Sequence, residues 1–368
     1  TSARLAAELR ALGFEVTTGV GRYFVKQWQG HGVVAILRNG PGPTLLIRAD
    51  MDGLPVEEKT GLPYASRVRA KNDAGQEVPV MHACGHDVHM ATMVGVARNM
   101  VALKDHWRGT LLLVGQPAEE IFAGAQAMLA DGLYERFPKP DMAIALHDWH
   151  DLPAGMVGIT PGDAMATSTQ VDVLVRGVGG HGSAPQYAKD PVVLAANIVM
   201  QLQTIVAREI SPFDQAVLTV GTIHGGLKRN IIPEEVKLEL NLRAFREDVR
   251  LRMIESVARI SRAAALGAGL PEDRLPVVTV LEQEFAPVVR NDPALTERMT
   301  ATFQRVLGME NVVAQPPVMG SEDFGQFGLN GAIPVKMFRV GAANPAKFAE
   351  ARRTGTTRPS PHSPLFAP

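Results

Sequence analysis

Three short apolar runs in the first 150 residues each break off into acids or an imidazole. Thr44-Leu45-Leu46-Ile47-Arg48 leads into Asp50-Met51-Asp52. Thr110-Leu111-Leu112-Leu113-Val114 leads into Gln116-Pro117-Ala118-Glu119-Glu120, and Met142-Ala143-Ile144-Ala145-Leu146 closes on His147. Short continuous apolar runs, separated by segments of helical period, predict an α/β fold whose mostly parallel sheet is covered by helices on both faces. Ligands of such open sheets bind beyond the carboxyl ends of the strands. All three runs would then deliver their polar residues to one edge. Between the first two, Val88, Ala91, Val94, Ala97 and Val101 recur at helical spacing. They predict a helix from Asp87 to about Leu103 with Asp87 as its N-cap.

The pattern changes near Thr167. Alternation and helical period then predict a strand over 170–176, a helix over 191–209 opened by Asp190-Pro191, strands over 216–224 and 236–245, a helix over 247–266 and a strand over 276–282. This β-α-β-β-α-β order is the ferredoxin-like arrangement, read as an α+β unit inserted into the first domain. The expected division is residues 1–167 with 285–368, interrupted by 168–284. After the insertion the chain should return through a helix over 293–306, a polar loop from Met319 to Asp323 and a strand over 334–340. Its tail, 354–364, is rich in Pro, Ser and Thr, the composition of a disordered end, yet it carries His362.

Composition narrows the partners. At 368 residues and 46% hydrophobic, the chain can bury two cores. With 37 basic and 38 acidic residues and a formal charge of −1, nothing draws it to nucleic acid or an anionic membrane, so a small-molecule substrate is expected. One cysteine cannot form an internal disulfide, which makes a reducing, cytoplasmic setting the expectation. No run reaches the roughly 18 apolar residues of a membrane helix, and no basic-then-apolar signal pattern opens the chain. The abrupt start at Thr1 leaves the expectation of a segment preceding it.

That cysteine, Cys84, lies within Met81-His82-Ala83-Cys84-Gly85-His86-Asp87-Val88-His89 beside three of the ten histidines. A thiolate and imidazoles this close suit a borderline-soft divalent cation such as zinc. Taken alone, Cys84 could equally be a buried filler, His147 a satisfied strand-end histidine, Glu119-Glu120 two solvated acids at a helix start and His181 an exposed loop histidine.

Six motifs in order carry a resemblance. They are Arg48-Ala49-Asp50-Met51-Asp52-Gly53-Leu54-Pro55, His82 to His89, Gln116-Pro117-Ala118-Glu119-Glu120, Gly179-Gly180-His181-Gly182-Ser183-Ala184-Pro185, Asn230-Ile231-Ile232-Pro233 and Gly320-Ser321-Glu322-Asp323-Phe324. Together they resemble the M20 metallopeptidase superfamily in its amidohydrolase branch of hippurate hydrolases, auxin-conjugate hydrolases and N-acyl amino acid deacylases. Two features depart from the pattern: the segment usual before the first helix is absent, and Gly53 stands where alanine is common.

The resemblance implies a metallopeptidase-type catalytic domain and an inserted dimerisation or lid domain. It implies Cys84, His86, Glu120, His147 and His362 as ligands of two divalent cations, zinc or manganese, with cobalt or nickel as alternatives. Glu119 would be the general base acting on a metal-activated water. His181 would stabilise the oxyanion in the other subunit of a homodimer or higher homo-oligomer. Asn230, Arg243, Gly320 and Ser321 would bind substrate, with Arg246 competing for the role of Arg243. Asp50, Asp52 and Asp87 would orient the ligating imidazoles, and His82 and His89 are left to packing or solvent. The implied activity is cleavage of N-acyl amino acids to a carboxylic acid and a free amino acid. Its rivals are a dipeptidase or carboxypeptidase with the same centre, a cysteine hydrolase with Cys84 as nucleophile, and a non-catalytic binder, which would need no base at Glu119.

Overall fold

The computed structural model describes residues 1–367, and the chain forms two compact units. The first comprises Thr1–Ala164, Val289–Pro317 and Glu322 onward. It is built on an eight-stranded sheet. Four central strands, Gly109–Gln116, Thr44–Asp50, Met142–Pro153 and Val335–Ala343, run parallel in that spatial order. Gly32–Asn39 and then Glu15–Val20 pair antiparallel on one side; on the other Val157–Ile159 pairs antiparallel with Val335–Ala343, and Val312–Ala314 pairs parallel with Val157–Ile159. Leu111 through Val114 are all buried, as continuous apolar runs must be when helices cover both faces. On one face the helices Ser2–Ala11 and His86–Ala102 set Leu5, Leu9, Met93 and Ala97 against Val33, Ala49, Leu111 and Leu113.

Two local expectations change. The helix begins at His86, preceded by Gly85 in the left-handed region (φ +79), so Asp87 lies in the first turn rather than capping it. A Cβ at position 85 would overlap the Asp148 carboxylate; only glycine gives both the turn and the close approach. The strand expected to close on His147 continues to Pro153, because Val335–Ala343 runs beside it and pairs Arg339 with His147 and Gly341 with Trp149.

The second unit comprises Met165–Val288 and Val318–Ser321. It is therefore a few residues wider than 168–284 at each end and takes in a separate four-residue piece, because Ala166 N–H donates to the carbonyls of Val318 and Gly320. Its antiparallel sheet has the order Ala216–Gly225, Glu235–Ala244, Thr169–Arg176, Val277–Val280. The helices Pro191–Thr204 and Glu247–Gly267 share one core with it. Asp190 caps the first helix by accepting from Val192 N at 2.8 Å, with Pro191 in the first turn where its missing N–H costs nothing. Together with the wider turn Ile205–Glu209, this is the one helix among the described residues long and apolar enough to cross a membrane. Its Leu194, Ile198, Leu202 and Ile205 are committed to the core of the unit.

In the first unit Lys336 is fully buried and donates from Nζ to the carbonyl of Thr160 at 3.1 Å. That carbonyl also accepts from Asn291 Nδ2 at 2.7 Å. Burial, helped by nearby Arg339, lowers the lysine pKa to about 8 from an ordinary 10.5. Below about 8 both folded and unfolded chains hold the proton; between there and 10.5 only the unfolded chain does. Stability should therefore rise with pH through that window. In Lys336→Met this contribution should vanish, so the urea midpoint of the wild type should rise relative to that of the variant from about pH 7.5 to about pH 9.5. An unchanged difference would mean that Lys336 titrates normally.

Candidate metal centre

The carboxyl ends of the parallel strands bring Asp50, His147 and the Glu119-Glu120 turn to one edge of the first unit, and the start of the His86–Ala102 helix adds Cys84 and His86. Cys84 Sγ lies 3.6 Å from His147 Nε2. His147 Nδ1–H donates to the Asp148 carbonyl at 2.7 Å, which turns Nε2 toward the sulfur. His86 is oriented the same way, with Nδ1 against the Asp52 carbonyl (3.1 Å) and carboxylate (3.2 Å). His86 Nε2 and Glu120 Oε1 are both buried without a hydrogen-bond partner, 3.8 Å apart. Two orphaned buried donor atoms facing each other are what an ion site requires. His362 Nε2 lies 3.3 Å from Glu120 Oε2. The tail is ordered there by His362 N–H donating to the Ala83 carbonyl and Lys59 N–H to the Pro364 carbonyl. The donor atoms fall into compact sets: Cys84 with His86 and His147, Cys84 with Glu120 and His362, and His86 with Glu119 and Glu120. Cys84 is common to the first two, so the mixed S, N and O donors suit two neighbouring divalent cations.

Charge in the cluster is tightly managed. Burial alone would raise the Cys84 thiol, but His147, and hydrogen bonds with His362 and His86, bring it down to about 6. Burial opposes charging of His86 and His147, yet Asp50 acting on the first and the Cys84 thiolate on the second raise both well above the ordinary imidazole value. Hydrogen bonds to Cys84 and Glu120 raise His362 to about 10. Glu119 moves the opposite way to an ordinary acid: burial, then Glu322 and Asp323, push it well up, only partly opposed by His86 and Arg48. Glu119 and Glu120 are held differently as well. Glu120 N–H donates to Asp52 Oδ2 at 3.0 Å, while Ala118 and Phe122 take positive φ to turn the chain around the pair.

Beneath the cluster, Arg48 is buried and spans Asp50 (2.6 Å), Glu322 (2.6 Å) and Asp323 (3.2 Å), with Gln116 accepting from Nε at 2.8 Å. Burial would raise Asp50, but Arg48, His86 and His89 hold it well below the carboxylate range. His89, left to packing by the sequence, is buried between Asp50 (2.5 Å) and Asp148 (3.0 Å). Its position three residues after His86, on the same helix face, was the available signal; Asp148 had only its adjacency to His147. Asp87 remains exposed on the first turn, and Asp148 stands among the imidazoles instead.

The other candidates lie in the second unit. Arg243 Nη1 donates to the Met319 carbonyl (2.8 Å) and Ser321 Oγ (3.1 Å), and Nε to Asn241 (2.7 Å), so Arg243, Gly320 and Ser321 form one group. Arg246 is exposed and engaged with Asp248 and Asp214. His181 pairs with Ile231 across a two-residue ladder, and Gly182 N–H donates to the Asn230 carbonyl. Ser183 N–H donates to His181 Nδ1 at 3.1 Å, which leaves Nε2 as the donor of the neutral ring. Asn230 and Arg243 do not meet: Glu235–Ala244 runs between them, a strand of roughly 30 Å.

The profile of peptidase family M20/M25/M40 matches residues 46–352, and the chain belongs to that family. The N-acetyldiaminopimelate deacetylase of Limosilactobacillus fermentum is 38% identical over 319 residues, 86% of this chain and 78% of that one. Thermostable carboxypeptidase 2 of Saccharolobus solfataricus is 35% identical over 332 residues, 89% and 77%. Among solved structures, the Bacillus subtilis YXEP protein, a dinuclear metal-binding peptidase of family M20, matches with a TM-score of 0.75 at 25% identity, over 100% of this chain and 85% of that one. The protein is an enzyme, a metal-dependent hydrolase of amide bonds.

Arg48→Met would leave Asp50, Glu322 and Asp323 buried without their cation. It should destabilise the protein by roughly 3–5 kcal/mol, read as a lower urea midpoint at unchanged slope. A loss below about 1 kcal/mol would mean that the cluster is better hydrated than its burial implies.

Proposed function

We propose that this enzyme cleaves the amide bond of N-acyl amino acids, releasing a carboxylic acid and a free amino acid. The observation that carries the reading is the pair of unpartnered buried atoms, His86 Nε2 and Glu120 Oε1, beside a carboxylate that burial keeps protonatable, Glu119. Cys84, His86, Glu120, His147 and His362 would hold two divalent cations, zinc or manganese, with cobalt or nickel as alternatives. Bound there, the cations would polarise the scissile carbonyl and acidify a water. Glu119 takes the proton of the attacking water on its carboxylate and passes it to the leaving amine. Asp50, Asp52 and Asp148 keep the imidazoles turned toward the cations. Arg243, with Ser321 and the backbone at Gly320, offers the substrate carboxylate a fixed cation and donors. A single buried cysteine without a disulfide partner supports a cytoplasmic setting.

His181 and Asn230 stand at the far end of their unit from Arg243, so in one copy they do not serve the same substrate. A homodimer, in which His181 of one copy stabilises the oxyanion formed in the other, brings both ends into use. The strand Ala216–Gly225 supports it: it lies at the edge of its sheet, near exposed Phe213, Ile223 and Leu227. The likeness to a carboxypeptidase favours a second reading, cleavage of C-terminal residues from free peptides by the same centre.

Amino acid release should be measured on chelator-stripped protein, with and without zinc or manganese, from N-acetyl, N-benzoyl and long-chain N-acyl amino acids and from free dipeptides. Metal-restored cleavage of the acylated compounds is expected. Preference for free dipeptides would favour the carboxypeptidase reading, and full activity without metal would turn attention to Cys84 as a nucleophile. Glu119→Gln should bind metal in calorimetry as wild type does, with kcat lower by roughly 10²–10⁴; normal turnover would remove Glu119 as the base. His181→Ala and Glu119→Gln should each be nearly inactive as homodimers, whereas mixing the two should restore activity by assembling one intact site per heterodimer. No recovery on mixing would argue that His181 acts within its own subunit or not at all.

A further inference from the structure

Along the strand Glu235–Ala244 of the second unit, Leu238, Leu240, Leu242 and Ala244 enter the core shared with the helices, so Lys237, Glu239, Asn241 and Arg243 stand on the other face of the sheet. Charge on that face is settled at one end and left open at the other. Lys237 Nζ pairs with Glu239 at 2.7 Å and with Asp172 of the neighbouring strand at 2.8 Å, and Thr222 Oγ1 donates to Glu239 at 2.7 Å. Next along the face is Asn241, and beyond it Arg243.

An arginine has five N–H donors. In Arg243, Nε gives its one to Asn241 Oδ1 at 2.7 Å, and Nη1 donates to the Met319 carbonyl at 2.8 Å and to Ser321 Oγ at 3.1 Å. Each of these acceptors is uncharged, and among the described residues Nη2 has no acceptor. Burial lowers the Arg243 pKa. Arg246, by contrast, is spent on Asp214 and Asp248. A guanidinium that is fixed by neutral groups and keeps one nitrogen free holds its whole charge for an incoming anion.

Asn241 supplies both properties. Its oxygen fixes Nε, while its Nδ2 donates to Ser168 Oγ at 2.7 Å and to Gln170 Oε1 at 3.2 Å, which braces the side chain. Ser168 is itself fully buried. An aspartate would have the same shape, but its charge would pair with Arg243 before any substrate arrived.

We propose that Asn241 is a positioning residue that sets substrate preference: it fixes Arg243 without neutralising it, and so makes the enzyme favour substrates with a free carboxylate over their uncharged amides. The proposal rests on the N-acyl amino acid reading above, in which Arg243 receives that carboxylate.

The test compares kcat/KM for N-benzoylglycine and N-benzoylglycinamide, read as benzoate release by the full chain loaded with metal. In Asn241→Asp the acid-to-amide ratio should fall about tenfold or more, mainly through KM for the acid. Asn241→Ala, which removes the acceptor and adds no charge, should lower it less, by about threefold or more. Arg243→Met should lower it too, and adding Asn241→Asp to Arg243→Met should lower it no further, because Asn241 acts through the guanidinium. A ratio within about twofold of wild type in either Asn241 variant would overturn the proposal, as would equal loss on acid and amide or a further fall in the double variant. Calorimetry of N-benzoylglycine with metal-loaded Glu119→Gln protein needs no turnover. Binding weakened about tenfold or more by adding Asn241→Asp supports the role of Asn241 even where the wild type cleaves no acylated compound, an outcome that counts against the proposed reaction alone. Unchanged binding, or none to the Glu119→Gln protein, overturns the role of Asn241 and, with hydrolysis intact in the wild type, leaves the reaction standing.

Discussion

Arg48 is the constraint on which the catalytic edge depends. A guanidinium with no solvent contact must be paired, and here it is paired with Asp50 on its own strand and with Glu322 and Asp323, more than 270 residues further along. The pairing ties the segment after Ser321 to the strand that ends at Asp50. It also sets the field in which the neighbouring acids titrate. Asp50, 2.6 Å from the cation, stays ionised and can hold His86 and His89. Asp323 is driven up by burial and by Glu322 despite Arg48, and Glu119, further from the cation, can keep a proton.

The same field separates two adjacent glutamates. Glu120 has its backbone anchored by Asp52 and one carboxylate oxygen left bare toward His86. Glu119 is enclosed among acids. In the proposed reaction one gives electron pairs to a cation and the other exchanges a proton, though their chemistry is identical in isolation. Cys84 plays the corresponding part among the soft donors, since it belongs to both donor sets and its thiolate is stabilised by the same histidines that complete them.

Much of this was legible in the chain. Continuous apolar runs ending in acids announced the parallel strands and the edge where they terminate, because a strand buried on both faces has no place for polar residues until it emerges. The β-α-β-β-α-β order of the second unit followed from alternation and from Asp190-Pro191, signals that act within a few residues. His89 and Asp148 were not legible as partners, since what makes them matter is the space between a helix and a strand that are about 60 residues apart. The end of the His147 strand was misplaced for a similar reason: its ladder is extended by Val335–Ala343, a partner nearly 200 residues away.

The sequence by itself determined the elements, their order and the inventory of donors, because hydrophobic period, caps and motif spacing are local properties of the chain. The tertiary structure alone decided which imidazole nitrogens face the centre, that Asp148 rather than Asp87 stands among the histidines, and that Asn230 and Arg243 lie at opposite ends of one unit. Orientation and proximity depend on burial and on partners distant in sequence, and these exist only once the chain has closed around Arg48.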